Sequence, residues 1–69
     1  MKVKDVKKGK RVKCLCDSAN VIPKDAEGIL IESEDHIPYV SWDNYYEGTF
    51  EQDGYKNVYA LSHYELEEI

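Results

Sequence analysis

The chain has no apolar run approaching the roughly 20 residues that a membrane-spanning helix needs. Its start, Met1-Lys2-Val3-Lys4-Asp5, lacks the apolar stretch of a secretory leader, so the sequence points to the cytoplasm. Cys14 and Cys16 are too few and too close for a disulfide framework, which fits a reducing compartment. There is no Gly-rich phosphate loop, no metalloprotease motif, no internal repeat and no low-complexity linker. A cysteine–histidine nucleophile would need a third group to orient its base and a pocket around it, and nothing marks either. Neither an enzyme nor a cofactor is expected. Cys14, Cys16, His36 and His63 are of zinc-binding type, but structural zinc sites favour a longer Cys-to-Cys spacing and both histidines stand isolated in turns. No metal is expected, and the cysteines read as small apolar core residues.

What is present is a small globular chain. At 69 residues, 42% hydrophobic and 33% charged, it has room for one domain with a small core, because so short a chain buries only about 60% of the surface it exposes when unfolded. The net charge of −5 hides an asymmetry. Through Lys13 the chain carries seven basic residues (Lys2, Lys4, Lys7, Lys8, Lys10, Arg11 and Lys13) against Asp5 alone. The remainder carries Lys24 and Lys56 against thirteen acids. One basic patch on an acidic body is one reading, and lysines that merely solvate an arm and a strand are the other.

The apolar pattern predicts short strands separated by turns. After a lead-in arm, residues 1–8, in which Val3 and Val6 can tuck one edge, Lys8-Gly9-Lys10 marks a turn. A first strand is expected over residues 10–17, with Val12, Cys14 and Cys16 on one face and Arg11, Lys13 and Leu15 on the other. Residues 18–27 read as a loop around the apolar pair Val21-Ile22, which Pro23 biases towards an extended anchor. Gly28 opens a second strand, residues 29–32, and an acidic turn follows over 33–36. A third strand spans residues 38–43, with Val40 and Trp42 on one face. Residues 44–56 form the longest irregular stretch, read as a long hairpin loop with short strand extensions at most. A fourth strand covers 57–61, then a 3₁₀ turn over 62–64 and a closing strand over 65–69, with a short terminal helix as the competing expectation.

Gly9-Lys10-Arg11-Val12, Asp25-Ala26-Glu27-Gly28-Ile29-Leu30, Tyr39-Val40-Ser41-Trp42-Asp43-Asn44 and Val58-Tyr59-Ala60-Leu61 resemble the uncharacterised small SH3-like barrel proteins of bacteria and phages. The likeness covers residues 9–69. It implies a mostly β fold, a small five-stranded SH3-like barrel with a long loop between strands three and four. Gly28 would serve a positive φ or a close strand approach, and Trp42 a large share of the core. The chain lacks the Ala-Leu-Tyr-Asp-Tyr stretch and the paired tryptophans of signalling SH3 domains, and residues 44–56 are longer than the hairpin usual in the small bacterial group. That insertion is where specific function is expected.

Tyr45, Tyr46, Phe50 and Tyr55 fall within eleven residues beside Glu47, Glu51 and Asp53. Clustered aromatics are enriched in contact surfaces, although some are expected to cover the barrel instead. The leading expectation is therefore a non-catalytic module that binds another protein through these seven residues. A phage-type protein of this kind would be an acidic inhibitor or modulator of a host protein, its carboxylates standing in for phosphates. Nucleic-acid binding through Lys7, Lys8, Lys10, Arg11 and Lys13, or a homo-oligomer joined along strand edges, remains open; a membrane partner is not expected. Asp43 is expected to make a turn hydrogen bond near Asn44.

Overall fold

The computed structural model describes residues 2–16, 21–34 and 37–69. Among them are six strands: β1 (Arg11–Cys14), β2 (Glu27–Glu34), β3 (Ile37–Trp42), β4 (Phe50–Gln52), β5 (Tyr55–Ala60) and β6 (Leu66–Glu68). Two 3₁₀ turns, Val3–Asp5 and His63–Glu65, complete the regular structure, and no α-helix occurs among the described residues. All pairings are antiparallel and build one open sheet in the order β4-β5-β3-β2-β1-β6. The last strand thus returns to pair with the first, through Val12 with Glu68 and Cys14 with Leu66. No helix among the described residues is long and apolar enough to cross a membrane.

Alternation decides which face each strand buries. Directly opposed residues share a face, so Val12, Gly28 and Trp42 form one inward row, and Leu30, Val40 and Tyr59 another. Val12, Leu30, Val40 and Trp42 are fully or almost fully buried, and they join Val6, Cys14, Ile22, Ala26, Leu61 and Leu66 in one cluster. Val6, Ile22, Ala26 and Leu61, which lie outside the strands, pack on this face. The Cα radius of gyration, 10.4 Å, agrees with the ~11 Å typical of a compact domain this long. Trp42 is the largest side chain of the cluster, and its Nε1 donates to the Tyr59 carbonyl at 3.3 Å.

Gly28 lies where β2 and β3 approach too closely to admit a side chain without a shift. A Cβ there would stand 2.6 Å from the Ser41 carbonyl oxygen and 2.9 Å from the Trp42 Cα, both backbone atoms of β3. The close strand approach is the reason for glycine here; a positive φ is not. The Val21-Ile22 pair does anchor its loop, with Ile22 fully buried and Val21 packed on the cluster.

Several boundaries differ from the sequence reading. Six strands stand where five were expected, because residues 44–56 contribute β4 and extend β5 back to Tyr55. The first strand stops at Cys14, so Cys14 is buried while Cys16 is exposed, and the two do not share a face. The second strand runs on to Glu34, through a bulge between Leu30 and Glu32, so Ser33 and Glu34 are strand and not turn. Asp35 and His36, residues 17–20, and the side chain of Val3 lie outside the described residues. The closing segment is strand and not helix, as Leu66 carries one more apolar contact into the cluster.

Candidate functional site

The segment from Asp43 to Asn57 is tied to the body at both ends. Arg11 donates from Nη1 to Asp43 Oδ1 at 2.9 Å and from Nη2 to Asp43 Oδ2 at 2.6 Å, a bidentate pair that fixes the exit of β3. Asp43 therefore reaches across β2 to β1 and does not close a turn at Asn44. Hydrogen bonding from Arg11, joined by its charge, holds the Asp43 carboxyl below its ordinary value of 3.8 and raises Arg11. At the far end, Ser41 Oγ donates to the Lys56 carbonyl at 2.6 Å and Asn57 Nδ2 to the Trp42 carbonyl at 3.3 Å.

Between these anchors the chain folds into an ordered hairpin. The Tyr46 carbonyl accepts from the Thr49 amide at 3.2 Å and from Thr49 Oγ1 at 2.6 Å, closing a turn. Gly48, at φ +101°, lets that turn settle on Val21. Asp53 and Gly54, at φ +50° and +85°, make the two-residue connection between Gln52 and Tyr55, a sequence and geometry that match the right-handed twist of the flanking strands. Asn57, at φ +58°, lies in the irregular stretch of β5 opposite β4.

The seven residues expected to bind are divided by this hairpin. Tyr45, Phe50 and Glu51 come together with Thr49, Lys56 and Asn57 around a shallow groove of about 310 Å³. Tyr45 is 72% exposed and Phe50 44%. Phe50 stands directly across from Val58, on the sheet face opposite the core, because Val58 opposes Ser41 while its neighbour Tyr59 opposes Val40. Val58 is nonetheless fully buried, so Phe50 both flanks the groove and sits beside an apolar spot on the outer face. Tyr46 turns the other way. It packs on the core cluster and lines a separate depression with Pro23, Asp25, Glu27 and Asp43. Tyr55 and Asp53 are exposed at the hairpin tip and Glu47 in the preceding loop.

Thr49, Lys56 and Asn57 escaped the sequence reading. The signal was present in Asp53-Gly54, a dipeptide that folds the chain back and sets 56–57 against 50–51.

No known protein family, curated protein or solved structure matches this chain. Function must be argued from its own surfaces.

The basic strand offers less than its composition implied. Lys10 pairs with Glu68 at 2.9 Å, Arg11 with Asp43 at 2.6 Å and with Glu27 at 3.5 Å, and Lys13 with Glu67 at 3.9 Å. Three of the seven basic residues through Lys13 are thus paired within the fold, the basic first strand lying between acidic neighbours. Lys7 and Lys8 are exposed before the entry turn. Among the described residues no three His, Cys, Asp or Glu side chains gather as metal ligands.

Proposed function

We propose that the chain is a small SH3-like module that binds another protein through the outer surface of the β4–β5 hairpin. The observation that carries this reading is a contrast in charge. The acids facing β1 are paired with its basic side chains, whereas no ion pair among the described residues engages Glu47, Glu51 or Asp53, which are exposed on the same segment as Tyr45, Phe50 and Tyr55. Solvated carboxylates around aromatic anchors suit a basic partner surface, where charge steers the encounter and the aromatics hold it. An acidic modulator that occupies a nucleic-acid-binding surface on its partner would use the same chemistry.

The strand order supports the SH3-like part of the reading: β1, β2, β3 and β5 in succession, with a 3₁₀ turn before a last strand that pairs back on β1, leaving β4 as an addition at the edge. The test is affinity capture from a bacterial lysate with the wild-type chain and with a Tyr45→Ala/Phe50→Ala variant. Tyr46 is left in place because it packs on the core. A partner retained by the wild type and lost from the variant supports the reading, and identical capture by both overturns it.

A further inference from the structure

The sheet has two edges, β4 and β6, and they are chemically different. On β6 the carboxylates of Glu67 and Glu68 are engaged by Lys13 and Lys10 of the neighbouring strand. On β4 Glu51 is exposed, and Asp53 follows at the tip, neither in an ion pair among the described residues. The two-residue turn closes on Gln52 and Tyr55, a pair whose N–H and C=O groups point at each other across the hairpin. Glu51, next along the strand, therefore directs its N–H and C=O away from β5. That edge has a backbone donor and acceptor to give and an unpaired carboxylate beside them, and the groove of Tyr45 and Phe50 lies on the same hairpin, lined also by Lys56 and Asn57 of β5.

We propose that β4 receives an extended basic segment of the partner as an added strand, one apolar side chain of that segment entering the groove between Tyr45 and Phe50. This rests on the protein-binding reading above and specifies its mode. Charge selects the occupant. A second copy pairing through the same edge would set Glu51 and Asp53 close to their own counterparts, an arrangement that like charges oppose, whereas lysine or arginine at alternate positions meets Glu51 and Asp53 favourably. Because β4 is only three residues long, backbone bonds alone hold little, and the apolar anchor must supply much of the affinity.

The probe is a synthetic ten-residue peptide alternating lysine with valine and carrying one central phenylalanine. Its binding is followed by amide shifts and hydrogen exchange in the isotope-labelled full chain. The expected result is a shift of the Tyr45, Phe50 and Glu51 signals, slowed exchange of the Glu51 amide, and a loss of affinity of roughly tenfold or more when Glu51 and Asp53 are both changed to lysine. One variant and one modified peptide isolate the edge. Glu51→Pro removes the outward N–H donor of β4 without removing a bond to β5, with its fold checked by circular dichroism, and should weaken binding; a peptide N-methylated at the residues that face β4 lacks the complementary donors to the Glu51 carbonyl. Equal binding by the methylated peptide, or no slowing of the Glu51 amide, overturns strand addition while leaving the protein-binding reading intact. Absence of any shift in the hairpin, or equal binding of a glutamate-for-lysine peptide, overturns the basic-segment assignment. Failure of the lysate capture to depend on Tyr45 and Phe50 overturns the parent reading instead.

Discussion

Replacing Gly28 by alanine probes the close approach of β2 to β3. The added carbon would lie 2.6 Å from the Ser41 carbonyl oxygen, 2.7 Å from a Val40 methyl and 2.9 Å from the Trp42 Cα. Carbon and oxygen settle about 3.3–3.6 Å apart when unbonded, so the overlap is most of an ångström. Val40 can rotate away, but the other two atoms belong to the β3 backbone and move only if β3 moves. Overpacking against backbone lies at the upper end of the usual range, about 3 kcal/mol, and the smaller conformational freedom of alanine in the unfolded chain returns about 0.4–1 kcal/mol, which leaves about 2 kcal/mol. A domain of this length has roughly 3–10 kcal/mol in total, and each kcal/mol moves its midpoint by about 4–8 °C. The expected fall is therefore about 8–16 °C, read by thermal and urea unfolding through the fluorescence of Trp42, the sole tryptophan. Gly54→Ala is the control: nothing lies within 4 Å of its Cβ position, and only its φ of +85° opposes the change, at about 1 kcal/mol. A Gly28→Ala protein within about 0.5 kcal/mol of wild type, or more stable than Gly54→Ala, would refute the steric argument.

Three further outcomes follow from named contacts. Asp43 has a lowered native pKa, so the stability it contributes is complete above the unfolded value near 3.8 and is lost as pH falls through the native one. The difference in unfolding free energy between wild type and Asp43→Asn should accordingly be constant from neutral pH to about 5 and shrink below about 4, and a pH-independent difference contradicts the Arg11 pairing. With a thiol reagent on the folded chain, exposed Cys16 should react promptly and buried Cys14 at the rate of unfolding; two equal fast phases would mean that β1 does not bury Cys14. Tyr45→Ala should leave the unfolding free energy within about 0.5 kcal/mol of wild type, whereas Tyr46→Ala should cost about 1–2 kcal/mol, and equal effects would remove the distinction between an exposed anchor and a packed one.

Much of the strand pattern was legible because burial on one face leaves period-two traces. Val12 and Cys14, and Val40 and Trp42, alternate with polar neighbours, and all four are buried. Ile22 was readable as an anchor because Pro23 fixes the chain behind it. The hairpin was harder. Phe50-Glu51-Gln52 has too few residues to display a period, and Tyr45, Tyr46, Phe50 and Tyr55 look alike in sequence although one packs on the core and three face water. Cys16 continued the alternation of β1 on paper, yet the strand ends two residues earlier: Leu15 still bonds the Glu65 carbonyl in register with the β1–β6 pairing, and the chain bends at Cys16.

Composition and local pattern alone determined that this chain is small and mostly β, with the indole of Trp42 inside it, because alternation and turn chemistry act between residues close in the chain. Which acids are neutralised and which face solvent was decided only by the tertiary structure. Lys10 and Glu68 are 58 positions apart, Arg11 and Asp43 are 32 apart, and only the strand order places them side by side. The same pairing order leaves Glu51 at an open edge, since a charge is neutralised by what the fold sets beside it and not by what precedes it in sequence.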